Sequence, residues 1–369
     1  AYANLGLALL QRVRETGDLA LYAQAQEALD AALDREPEHL DALIGQGALA
    51  LAQHRFVDAL DWGERARAVN PYRAAVYGII GDAEVELGRY EEALDTVQTM
   101  VNTRPDLNSY SRASYLRELQ GDTAGAIELM ELAVSAGAPG SENTLWTQVQ
   151  LGNLYWNSGD RARAEETYNT VLALRPDYAY AQAGIARVRV AQGNSDEALA
   201  IYEGLVQRLP LPEFVIAYGE LYQSLGENDK AQQQYDLVRA MQQLNAAAGV
   251  NVDLELALFE ADHGAAPDAT QIAAVRAAFE ERPSLYAADV LAMTLYRAGQ
   301  YAEAQRYSDL ALRLGTRDAT WHYHAGIMAY ARGDMDKART HLESALTINP
   351  NFSPLHAPEA RRILKEIAP

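Results

Sequence analysis

The 369-residue chain contains no cysteine. A disulfide, a thiolate metal site and a cysteine nucleophile are therefore excluded. That is compatible with the cytosol and with an exported protein that needs no staples. Basic residues are also scarce: Lys and Arg number 31 against 51 Asp and Glu, a formal net charge of -20. A phosphate backbone attracts cations and repels carboxylates, so nucleic acid and anionic membrane surfaces are disfavoured as partners. A solvated acidic surface, or a basic partner, fits the balance better. No apolar run approaches the roughly 20 residues of a membrane span, so direct membrane insertion is not expected. No signal peptide is visible. The chain starts at Ala1, already inside a helical pattern, so removal of an upstream segment is expected. An anchor or export signal would go with it.

Catalytic signatures are missing too. There is no Gly-x-Ser-x-Gly, no phosphate loop and no His-Glu-x-x-His. Gly45-Gln46-Gly47 carries the letters of a dinucleotide fingerprint, but it lies within a helical pattern rather than after a strand. No enzyme and no cofactor is expected. Four of the seven histidines, His322, His324, His341 and His356, fall near the C-terminus. His322 and His324 point about 200° apart on a helix, at roughly 100° per residue. A metal site would need His341 or His356 to join one of them. Metal binding is thus a remote alternative, and no metal ligand is assigned.

What the chain does contain is a repeat. Leu151 to Pro176, LGNLYWNSGDRARAEETYNTVLALRP, reads as two short helices joined by a tight turn. Leu145, Val149, Gly152 and Tyr155 mark one face of the first helix, and Ala164, Tyr168 and Val171 the inner face of the second. Gly159 is placed to close the first helix and Asp160 to cap the next. Neither helix has enough apolar surface to stand alone. Pro37, Pro71 and Pro105 are 34 residues apart, as are Pro176 and Pro210. The spacing predicts about ten units, at approximately 1–37, 38–71, 72–105, 106–139, 140–176, 177–210, 211–245, 251–283, 284–316 and 317–350. An irregular junction is expected at 246–251, and a closing amphipathic helix at 358–367 gives the last apolar surface a polar outer side.

A 34-residue helix–turn–helix period resembles the tetratricopeptide repeat. The recurring residues match that family's pattern. A small residue lies midway along the first helix (Gly47, Gly81, Gly152, Gly219, Gly326), a glycine at the turn (Gly88, Gly159, Gly193, Gly226, Gly299, Gly333), and an alanine opens the second helix (Ala59, Ala93, Ala164, Ala198, Ala231, Ala304, Ala338). The resemblance implies an all-α fold, a right-handed superhelical solenoid of antiparallel helix pairs. It implies further that first helices line a concave groove, and that the protein is a scaffold binding a protein or peptide. Self-assembly through the solenoid ends or outer face, giving a homo-oligomer, is the alternative.

Taking the mid-helix small residue as a register mark, the opposite side of each first helix should line the groove. The candidates are Asn108 and Tyr115 in the fourth unit, and Trp146, Asn153, Trp156 and Asn157 in the fifth. Tyr180 and Arg187 follow in the sixth, then Glu220 and Gln223 in the seventh. Aromatics give rigid contact area, and Asn can hydrogen-bond an extended backbone through both amide atoms. The tryptophans can equally be inter-repeat packing. Asn153 would match one asparagine of the family's carboxylate clamp, but the lysines of that clamp are absent, so a clamp is not expected.

Overall fold

The structure, a computed structural model, describes residues 1–368. Among these residues there are 21 α-helices and no strand. The chain is a helical solenoid, and it divides into two compact units.

One unit comprises Ala1–Ala113, Ala240–Val252 and Glu281–Ser284. Its helix pairs are Tyr2–Thr16 with Leu21–Leu33, Leu40–Ala52 with Phe56–Val69, and Ala74–Glu86 with Tyr90–Thr103. Leu29, Leu43, Leu49 and Ile80 are fully buried between them. The fingerprint-like glycines are explained by this packing. A Cβ on Gly45 would come within 2.4 Å of Leu29, and one on Gly47 within 2.6 Å of Ile79. The second pair has no glycine at its turn. His54 takes the left-handed conformation instead, at φ 57, and its Nδ1 lies 2.8 Å from the Asn251 carbonyl.

The other unit comprises Ser114–Arg239, Asp253–Glu280 and Leu285–Pro369. The helix Glu142–Asn157 packs on Arg161–Leu174. Ser141 and Asp160 cap these two helices by accepting from the amides of Thr144 and Arg163. The second helix stops at Leu174, two residues before Pro176, because the residue before a proline is pushed out of helical geometry. Tyr168 is fully buried, and a Cβ on Gly152 or Gly184 would lie 2.5 or 2.6 Å from its ring. One tyrosine thus fills the space that two small residues leave on successive first helices. The 20-residue helix Asn228–Ala247 contributes its residues Asn228–Arg239 to this unit. His356–Glu366 is the last helix.

Within each unit the chain returns to itself at a nearly constant offset. In the first unit the Asn251 amide donates to the Gln53 carbonyl at 3.1 Å, and Arg282 reaches Glu86, 196 residues away, at 2.6 Å. In the second, Thr316 Oγ1 donates to the Leu119 carbonyl at 2.5 Å across 197 residues. Asn349 Nδ2 donates to the Trp156 carbonyl at 2.8 Å across 193. All four acceptors lie at the ends of first helices; Gln53, Leu119 and Trp156 accept through backbone carbonyls, which lack intrahelical partners there, and Glu86 through its carboxylate. Gly159 permits the last of these approaches. It has φ 83, and a Cβ there would sit 2.6 Å from the Ile348 carbonyl oxygen.

Candidate functional site

The second unit's helix Glu142–Asn157 carries four of the residues that the sequence singles out, and the structure separates them. Trp146 is 45% exposed, while Trp156 is 6% exposed. Asn153 Oδ1 accepts from Tyr168 Oη at 2.8 Å and from Arg187 Nη2 at 2.6 Å. Arg187 Nη2 also donates to Tyr168 Oη at 3.1 Å, and its guanidinium carbon lies 5.6 Å from the centre of the Trp156 ring. Burial pushes the Tyr168 hydroxyl above the usual tyrosine pKa, with Arg187 pulling the other way, so the hydroxyl stays protonated and donates to Asn153. Asn153, Tyr168, Trp156 and Arg187 therefore form one cluster, with the guanidinium within cation–π distance of the Trp156 ring.

Trp156 and Arg187 open onto a cavity of about 360 Å³. Glu220 is on its wall, together with Tyr202 and the segment Pro350 to Pro354, and Arg361 closes the set. His263 Nε2 lies 3.4 Å from the Glu220 carboxylate. Asn157 does not join this cavity. It lines a second one, of about 340 Å³, with Glu118, Asp122 and Arg317, and donates to Glu118 at 3.3 Å. Burial holds Glu118 above the usual carboxylate range; Asn157 opposes this and Asp318 adds to it.

The remaining candidates lie apart from both cavities. Asn108 and Gln223 are exposed, and Gln223 accepts from Tyr235 Oη at 2.6 Å. Tyr115 is 46% exposed. Tyr180 packs edge-on to Phe214 at 5.6 Å, and burial, with Glu213 and Glu142 nearby, pushes its hydroxyl pKa up to about 12. The residues that sequence reasoning missed are Asn349 to Pro354 and Arg361. Their one local signal is the turn-rich run Asn349-Pro350-Asn351, which marks a loop but not what the loop meets.

The C-terminal histidines do come together in pairs. His322 and His341 approach at 3.1 Å between Nδ1 atoms, and burial, then His341, pulls the His322 pKa down to about 4. The rings of His324 and His356 are 6.3 Å apart, but His324 Nδ1 is taken by Asp289 at 2.9 Å. No group of three or more His, Cys, Asp or Glu that could hold a metal ion occurs among the described residues. No helix there is long and apolar enough to cross a membrane.

Over 239 residues the chain is 28% identical to cellulose synthase operon protein C of Xanthomonas axonopodis pv. citri (strain 306), covering 58% of this chain and 15% of that protein. It is 25% identical over 268 residues to cellulose synthase operon protein C of Pseudomonas fluorescens (strain SBW25), covering 58% and 19%. The chain thus spans less than a fifth of the length of these curated relatives. Among solved structures, a human IFIT1 dimer with m7Gppp-AAAA shares the fold at a TM-score of 0.52 and 15% identity, covering 80% of this chain and 68% of that one. The tetratricopeptide repeat family model matches residues 10–74, 149–211 and 290–351, more than half of the sequence. With the 34-residue period and the stacked helix pairs, this places the chain in the tetratricopeptide repeat family.

Proposed function

We propose that this chain is a non-enzymatic scaffold that binds a protein or peptide partner in the cavity bounded by Trp156, Arg187 and Glu220. The observation that carries the reading is convergence. Three residues chosen from sequence register, on three successive first helices, line one recess of about 360 Å³. Such a recess falls within the usual size of ligand sites, which combine apolar walls with a few fixed polar groups. Trp and Arg are also the residues on which interface energy concentrates. Two curated relatives are named cellulose synthase operon protein C, so products of such an operon are the first partners to test.

The test fills the cavity without touching its charges. Ala217 is on the cavity wall, and Ala217→Trp should block it while leaving helical circular dichroism unchanged. Wild-type bait and Ala217→Trp bait are compared in capture from a lysate of the native organism. A partner held by the first and lost by the second supports the reading. A partner held equally by both puts the contact elsewhere.

A further inference from the structure

Half-buried arginines in this protein are ordinarily matched with acids. Arg112, Arg189, Arg239, Arg276 and Arg282 have side chains between 14% and 33% exposed, and each reaches a carboxylate at 2.5–2.7 Å. With 51 acidic residues against 31 basic ones, carboxylates are not in short supply. Yet Arg187, which faces the cavity, breaks the pattern, and the exposed Arg361 lines the same cavity. Arg187 is half-buried and spends only Nη2, on Asn153 and Tyr168. Arg361 uses Nη2 on the Pro350 carbonyl. Neither forms an ion pair among the described residues. The cavity's own carboxylate, Glu220, has His263 Nε2 3.4 Å away.

A guanidinium that is partly desolvated and unpaired is costly, and the cost is recovered when a carboxylate arrives. Arg187 Nη2 is tied to Asn153 and Tyr168, with the Trp156 ring beside the guanidinium, so little rotamer freedom is lost when its remaining donors bind. Beside the two guanidinium groups stand an apolar wall, Val190, Leu221 and Phe352, and the polar side chains of Asn351 and Ser353. We infer that the cavity takes an acidic side chain from a peptide segment, with an apolar neighbour of that residue against Phe352 and Leu221. This rests on the reading of the cavity as the partner site and names the chemistry of what enters it.

The experiment uses the full chain, immobilised, and positional peptide libraries that are N-acetylated and C-amidated. Their central residue is fixed as Asp or Glu, as Asn or Gln, or as Lys or Arg. The acidic sets should be retained roughly tenfold or more above the amide sets, as for a charge-assisted bond. Arg187→Gln should abolish the preference. Because Arg187 also ties Asn153 to Tyr168, the exposed Arg361 supplies the second variant. Arg361→Glu should reverse the selection toward Lys and Arg, a gain that misfolding cannot produce. Equal retention of acidic and amide sets, both lost in Ala217→Trp, overturns the inference while the cavity stands as the partner site. Retention of no set, or of sets indifferent to Ala217→Trp, overturns both. Capture only of peptides with a free C-terminus assigns the arginines to a terminal carboxylate and overturns the side-chain assignment.

Discussion

Trp156 and Asn157 are neighbours in sequence and were expected to form one wall, yet they open onto different cavities. A helix turns about 100° per residue. That rotation sends Trp156 toward Arg187 and Glu220, and Asn157 toward Glu118 and Arg317. The two recesses differ in kind. The first has an aromatic wall and two arginines outside any ion pair. The second is acidic, with Glu118 and Asp122 on its wall, and has no aromatic residue. Asn349 stands between them. Its amide bonds the Trp156 carbonyl, its neighbour Ile348 lines the acidic recess and its neighbour Pro350 the basic one. Two adjacent candidate residues thus acquire different roles from a contact 193 residues away.

The contrast can be broken at several places. Tyr168→Ala removes the side chain that fills the space beside Gly152 and Gly184 and orients Arg187. It should cost about 3–5 kcal/mol in denaturant unfolding and empty the first cavity of any ligand. Asn349→Ala removes the divider and should cost about 1–2 kcal/mol, read as a lower unfolding midpoint.

Glu118→Gln should act through pH. The folded pKa of Glu118 is raised by burial, above all, so the folded state holds its proton more tightly than the unfolded chain. Stability therefore falls as pH rises from the unfolded value, about 4.3, through the folded one. The variant should melt higher than wild type at pH 7, and the gap should close below about pH 4. A gap that persists in acid would break the assignment of an uncomfortable carboxylate to the second recess. Asn157→Ala should be smallest, within about 0.5 kcal/mol, since it loses one exposed bond of 3.3 Å.

Much of the fold could be read from periodicity. Gly159 closes a helix, Asp160 caps the next, and Ala164, Tyr168 and Val171 face inward because each depends only on residues within a turn or two. The register that selected Trp156, Arg187 and Glu220 is likewise local, repeated from unit to unit. What lay beyond reach was the return of the chain. Nothing near Asn349, Phe352 or Arg361 in sequence indicates that the first bonds Trp156 or that the other two share a cavity with Trp156 and Arg187, since the 34-residue period relates neighbours in the stack and not segments almost six repeats apart. The same blindness applied to His322 and His341, whose meeting depends on how two helices pack.

The most direct measurement is a titration of the captured partner against wild type, Ala217→Trp and Asn157→Ala by calorimetry. The account predicts that Ala217→Trp abolishes binding and that Asn157→Ala leaves the affinity unchanged. Binding that survives Ala217→Trp but falls with Asn157→Ala would contradict it and move the partner to the acidic recess.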